Sequence, residues 1–201
     1  MALRIVTISS KKRDHEMTKT TGNKKVLGIV GSPRRGGNTD TLVEEVLAGA
    51  RAAGAQTEKV MLTDLDIRPC MGCWACSTKG KCVQNDDLAQ LAEKLINAPL
   101  WVIGTPIYWW GPSAQLKAFI DRWVSLRERT FHKKTLILAI PMGGGSESYA
   151  EHTTGMFRDI ANYLGIDLRE IILAPGVSKK GEVQHNEQLM EKAYQAGNRS
   201  I

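Results

Sequence analysis

Outside one run of thirteen residues the chain has no cysteine. Cys70, Cys73, Cys76 and Cys82 all fall in CMGCWACSTKGKC. Histidine is as sparse, and His15, His132, His152 and His185 are too scattered to suggest a metal-ligand cluster or a catalytic triad. Long apolar runs are missing too. None approaches the roughly 18 apolar residues that mark a membrane span. The N-terminal MALRIVTISSKKR places its short apolar stretch before the basic cluster, the reverse of a signal peptide. A cytoplasmic, reducing location is expected. There disulfides are disfavoured, and metal or redox chemistry of thiols is favoured.

Net charge is also scarce once the N terminus is set apart. Residues 1–25 carry seven basic and two acidic side chains, which leaves only +1 of the total +6 for residues 26–201. A nearly neutral body does not indicate a basic face for nucleic acid. The basic stretch reads as a solvated N-terminal extension, or an arm that packs on a partner subunit, over residues 1–23, ahead of a single domain over residues 24–201. No internal repeat or low-complexity segment interrupts that domain.

What is present is an alternation of apolar runs and amphipathic stretches, the pattern of an α/β fold with a parallel sheet. KKVLGIVG (24–31), LWVIG (100–104) and TLILAI (135–140) read as strands covered on both faces. Residues 56–62 and 167–173 read as further strands, the former near a sheet edge. Helices are expected over 38–54, with Leu42, Val43, Val46, Leu47 and Ala50 on one face, over 86–97 and over 146–164. Another is expected to open at Pro112 and a last one to run from 185 to 197. Trp101 and Trp123 read as core. Five βα units predict a doubly wound five-stranded sheet, for which 2-1-3-4-5 is a common order. A ligand would then sit outside the carboxyl ends of strands 1 and 3.

Three loops leave that edge. GSPRRGGNTDT (31–41) offers small residues, two arginines, the hydroxyls of Ser32 and Thr39 and a helix start, all suited to a phosphate. It is neither a Walker A loop, which needs Lys where Asn38 stands, nor G-x-G-x-x-G. TPIYWWGP (105–112) is shaped by Pro106 and carries aromatics able to hold a flat ring or to pack a subunit interface. PMGGGSES (141–148) lets backbone approach a ligand closely.

Together Ser32-Pro33-Arg34-Arg35-Gly36-Gly37-Asn38-Thr39, Pro106-Ile107-Tyr108-Trp109 and Gly143-Gly144-Gly145 resemble the flavodoxin-fold NAD(P)H-dependent FMN reductases. The resemblance covers most of residues 24–195 and implies a flavodoxin-like fold. It implies that Ser32, Arg34, Asn38 and Thr39 hold the FMN phosphate. Pro106, Ile107, Tyr108 and Trp109 would line the ribityl chain and isoalloxazine, and Gly143, Gly144 and Gly145 would approach the polar edge of the ring. NAD(P)H would be the electron donor and a quinone, flavin or redox protein the acceptor. A homodimer or homotetramer is the expected assembly.

The cysteine spacing C-x2-C-x2-C-x5-C lies between strand 2 and the next helix, beside the first loop. Within this family it resembles the iron–sulfur flavoproteins, which implies that Cys70, Cys73, Cys76 and Cys82 ligate a [4Fe–4S] cluster. The residues alone leave open free thiols facing substrate, a zinc site or disulfides. Val83 follows Cys82, unlike the Cys-Pro of a bacterial ferredoxin, and zinc more often takes two separated C-x2-C pairs. The leading expectation is an FMN-dependent oxidoreductase with a cluster. A cluster-free FMN or quinone reductase, a non-enzymatic flavodoxin-like electron carrier and a zinc-stapled interaction module stand as alternatives.

Overall fold

Period-two alternation along the inner strands builds two cores at once. In strand β1 (Lys25–Val30) Val26 and Val30 face one side and Leu27 and Ile29 the other. The same split divides β3 (Leu100–Gly104) into Leu100 and Val102 against Trp101 and Ile103. It divides β4 (Thr135–Pro141) into Ile137 and Ala139 against Leu136, Leu138 and Ile140. Strands apolar on both faces must be covered on both faces. With β2 (Gln56–Met61) and β5 (Asp167–Ala174) at the edges, they form one parallel sheet of order β2-β1-β3-β4-β5. This is a computed structural model, and it describes residues 24–126 and 130–201. The expected basic extension, residues 1–23, lies outside the described residues.

One face of the sheet is covered by helices α1 (Asn38–Ala52) and α6 (Glu187–Asn198), the other by α3 (Leu88–Asn97), α4 (Ala114–Asp121) and α5 (Glu151–Leu164). Between β2 and α3 lies the short helix α2 (Ala75–Lys79), which the sequence pattern did not indicate. Helices α1 and α6 touch backbone to backbone. A Cβ on Gly49 would stand 1.9 Å from the Tyr194 carbonyl oxygen, and one on Gly197 1.8 Å from that of Val46. Trp101 and Trp123 are buried as expected, and the Trp101 indole N–H donates to the carbonyls of Leu95 and Ala98.

Two expected boundaries are corrected. Pro112 does not begin a helix: Ser113 is the N-cap of α4, its hydroxyl accepting from the Leu116 amide at 3.3 Å, so Pro112 stands one residue outside. A capping hydroxyl satisfies an orphan amide, which proline at the first turn cannot do. The stretch 146–164 begins as a 3-10 turn (Glu147–Ala150) before α5, which Gly165 ends at φ 68°. Among the described residues no helix is long and apolar enough to cross a membrane.

Candidate functional site

The carboxyl ends of the strands are held together before any side chain reaches a ligand. The Gly31 amide donates to the Gly104 carbonyl at 2.8 Å, the Ser113 hydroxyl donates to the Gly31 carbonyl, and Thr105 Oγ1 accepts from the Ser113 amide at 3.1 Å. These bonds weld the loops after β1 and β3 to each other. The amides of Thr105 and Ile107 donate to the carbonyls of Ala139 and Pro141, extending the welding to β4. Met142 and Ala174, then Val177 and Met142, continue it to the segment after β5.

Between these loops lies a cleft of about 290 Å³. Ser32, Arg34, Asn38, Thr39, Pro106, Ile107, Tyr108 and Gly143 all line it, together with Met142, Val177 and Ser178. Helix α1 points its N-terminus here. Its N-cap is Gly37, with no side chain accepting from the first turn. Uncapped first-turn amides and the positive end of the helix dipole form a donor set for an anion. Asp40, in that first turn, accepts from the Gly36 amide at 2.7 Å and pairs with Lys59. Burial alone would raise its carboxyl, but the bonds from Lys59 and Gly36 outweigh burial and hold it below its ordinary value.

The side chain of Asn38 already has partners. Its amide donates to the Lys179 carbonyl at 3.0 Å and its oxygen accepts from the Val183 amide at 3.2 Å. It therefore staples the segment after β5 against the first loop. Arg34 does the same from the other side, donating to the Ser178 carbonyl at 3.1 Å. Residues 177–182 are thus a fourth wall, which the sequence reading missed by stopping at the end of β5. Its signal was Gly176 and Gly181, both at positive φ, flanking two lysines. The Glu182 carboxylate accepts from the amides of Lys179 and Ser178, which hold it below its usual range.

Three expected residues stand outside the cleft lining. Gly144 backs onto an aromatic ring, since a Cβ there would meet Tyr149 Cδ2 at 2.5 Å, and Gly145 faces open space. Trp109 is 91% exposed at the tip of a two-residue hairpin closed by Tyr108 and Gly111. Trp109 and Trp110 both take positive φ, at 49° and 61°, where Asn-Gly would be easier. The Trp110 ring stands 6.2 Å from that of Trp109 and 6.0 Å from that of Tyr149, so the hairpin forms an aromatic rim beside the cleft. His152, one of the scattered histidines, is exposed on α5.

The cysteine loop hangs from a stem. Residues 66–69 lie against 84–87: the Asp87 amide donates to the Asp66 carbonyl at 3.0 Å, the Asp66 amide to the Asp87 carboxylate at 2.7 Å, and the Gln84 side chain to the Pro69 carbonyl at 3.0 Å. Inside the loop, Gly72, Trp74 and Gly80 take positive φ, so the chain curls sharply around α2. That curl brings Cys70, Cys73, Cys76 and Cys82 to the wall of one small apolar cavity, about 110 Å³, with Met71, Trp74, Val83 and Val124. None of the four is in a disulfide. Among the described residues no three His, Cys, Asp or Glu side chains form a set for a single metal ion. Four thiols are the donor type that an iron–sulfur cluster takes, and two of these have N–H partners: the Gly72 amide donates to Cys70 Sγ at 3.5 Å and Arg122 Nη2 to Cys82 Sγ at 3.2 Å.

A family model described as NADPH-dependent FMN reductase matches residues 24–175. Over 103 residues the chain is 44% identical to an iron-sulfur flavoprotein of Methanocaldococcus jannaschii, a match covering 51% of this chain and 53% of that one. The match therefore spans about half the length of that relative. Over 130 residues it is 35% identical to an iron-sulfur flavoprotein of Methanosarcina thermophila, covering 65% and 68% of the two chains. Among solved structures, an NAD(P)H:quinone oxidoreductase from Methanothermobacter marburgensis superposes with a TM-score of 0.66 at 16% identity, covering 89% and 97%. At that identity the likeness speaks for the fold.

Proposed function

The chain belongs to the NADPH-dependent FMN reductase family, and from that premise we propose that it is an FMN-dependent oxidoreductase that draws electrons from NAD(P)H and hands them on beside an iron–sulfur centre. The observation that carries the reading is the meeting of the uncapped α1 N-terminus with Ser32, Thr39, Pro106 to Tyr108 and Gly143 in one cleft. FMN supplies the means to accept an electron pair and release electrons one at a time. The protein supplies position and charge. Ser32 and Thr39 offer hydroxyls and the first turn of α1 offers amides to the phosphate, with Arg34 adding positive charge. Asn38 holds the fourth wall in place. Pro106, Ile107 and Tyr108 form a stiff edge for the flat ring, and Gly143 lets backbone come close to it. Gly144 and Gly145 shape the rim, where Trp109 and Trp110 are offered to an acceptor or a second subunit.

Cys70, Cys73, Cys76 and Cys82 would hold a [4Fe–4S] cluster, which supplies one-electron storage. Four unpaired thiols on this loop suit a reducing, cytoplasmic setting. The exposed aromatic hairpin suits a homodimer or homotetramer. The acceptor would be a quinone, a flavin or a redox protein. A cluster-free reductase is the second reading, favoured by the exposure of Cys70 and Cys73. The experiment is anaerobic mixing of FMN-loaded protein with NADH and with NADPH. Bleaching of the flavin's visible band by one of them is the expected result. A flavin that neither nucleotide reduces would overturn the nicotinamide assignment and leave an electron carrier.

A further inference from the structure

Arg122 is 1% exposed, at the end of α4, yet it carries a full positive charge. Its guanidinium reaches both ends of the cysteine loop. Nη1 donates to the Arg68 carbonyl at 2.7 Å, just before the loop, and to Asp86 Oδ2 at 2.7 Å, just after it. Nη2 donates to Asp86 Oδ1 at 3.2 Å and to Cys82 Sγ at 3.2 Å. Asp86 in turn accepts from the amides of Arg68 and Leu88, so this carboxylate is fixed as well. A buried charge is costly unless paired, and this one is held by four acceptor atoms on three residues, all at the two ends of the cysteine loop. The same guanidinium lines the four-cysteine cavity.

We propose that Arg122, oriented by Asp86, is the positioning residue of the cysteine site: it locks the loop stem and holds an N–H group on Cys82 that raises the reduction potential of a cluster bound there. This rests on the reading of the four cysteines as cluster ligands. The physical basis is simple. Each electron accepted by the centre adds one negative charge beside the guanidinium. An N–H bond to a ligand sulfur, and a nearby cation, stabilise that added charge. Asp86 opposes this from farther off and sets the balance.

The two partners therefore have opposite signs. In protein reconstituted anaerobically with iron and sulfide, Arg122→Gln is expected to shift the cluster midpoint potential negative. Asp86→Asn keeps the bond to Cys82 and is expected to shift it positive. The FMN potentials should stay in place in both. In the metal-free protein, Arg122→Gln should speed amide hydrogen exchange across residues 68–86 while β1 and β3 keep wild-type protection. Wild-type potentials at wild-type iron content, or shifts of the same sign in both variants, would overturn the proposal. If Arg122→Gln holds no iron while still retaining FMN, the clamp is supported and the Asp86→Asn shift decides the tuning. Failure of both variants to fold would reduce the pair to a structural role and overturn it. Absence of iron from the reconstituted wild-type protein would instead sink the cluster reading first, and this inference with it.

Discussion

The cleft takes its walls from the sheet itself, whereas the cysteine loop is a pendant held by a short stem and one buried arginine. Around the cleft, backbone bonds run from β1 to β3, β4 and the segment after β5, and the residues beneath are core. Within the cysteine loop Met71 and Trp74 are exposed and no residue of α2 is buried. A ligand site built into the core is ready before the ligand arrives. A pendant loop needs its bound group, or a clamp, to hold its shape. Damage to the fold should accordingly reach the cleft, and damage to the loop should stay there.

The largest expected effect comes from Gly49→Ala. Its methyl has no room against the Tyr194 carbonyl, so α1 must leave α6, and overpacking of this kind costs about 1–3 kcal/mol. Urea unfolding is expected to show that loss, together with weaker FMN retention, because α1 carries the phosphate end of the cleft. Full retention at reduced stability would show that the cleft holds its shape independently of the α1–α6 contact.

Next is Thr39→Glu, which puts a like charge where the phosphate would meet the first turn of α1. A helix-terminus charge is worth about 1 kcal/mol, so FMN affinity is expected to drop at least about fivefold with folding intact. Fluorescence titration with FMN measures it, and unchanged affinity would move the phosphate elsewhere.

Single replacements of the cysteines by Ala sharpen the contrast from the other side. Each is expected to abolish most iron binding yet leave FMN in place. In metal-free protein Cys70→Ala and Cys73→Ala, at exposed positions, should change stability by no more than about 0.5 kcal/mol. Loss of FMN along with the iron would show that the loop is part of the cleft after all.

The smallest effect concerns acid. Burial would raise the Asp40 carboxyl, but the bonds from Lys59 and the Gly36 amide outweigh it and hold the group below its ordinary value in the folded protein. Its contribution is fully present above that ordinary value and fades as pH falls through the lower, folded value, where the unfolded chain is already protonated. Asp40→Asn is expected to flatten the acid side of the stability profile and leave neutral pH little changed. Denaturant midpoints measured across acidic pH decide it, and an unaltered acid limb would remove Asp40 as an anchor of the first loop.

The sheet was legible because its strands are doubly covered and so read as unbroken apolar runs, as in LWVIG and TLILAI. The cleft was legible in part, since strand order sends the loops after β1, β3 and β4 to one edge. What escaped was set by partners distant in sequence. Asn38 looks like a ligand group until Lys179 and Val183 are seen to use it. Arg122, next to Phe119, Ile120 and Trp123, reads as a charge on the solvent side of an amphipathic helix. Only the fold brings Asp86 and Cys82 to it. The left-handed turn at Trp109 and Trp110 carries none of the residues that announce such a turn, so local sequence could not reveal it.

One chain with a flavin cleft and, beside it, a four-thiolate iron–sulfur site should show both groups in the visible spectrum of anaerobically purified protein, with iron, sulfide and flavin counted per chain. Bound FMN together with iron and sulfide in equal amounts is the expected result. FMN with no iron or sulfide, even after anaerobic reconstitution, would contradict it and leave a flavin reductase whose thiols serve another purpose.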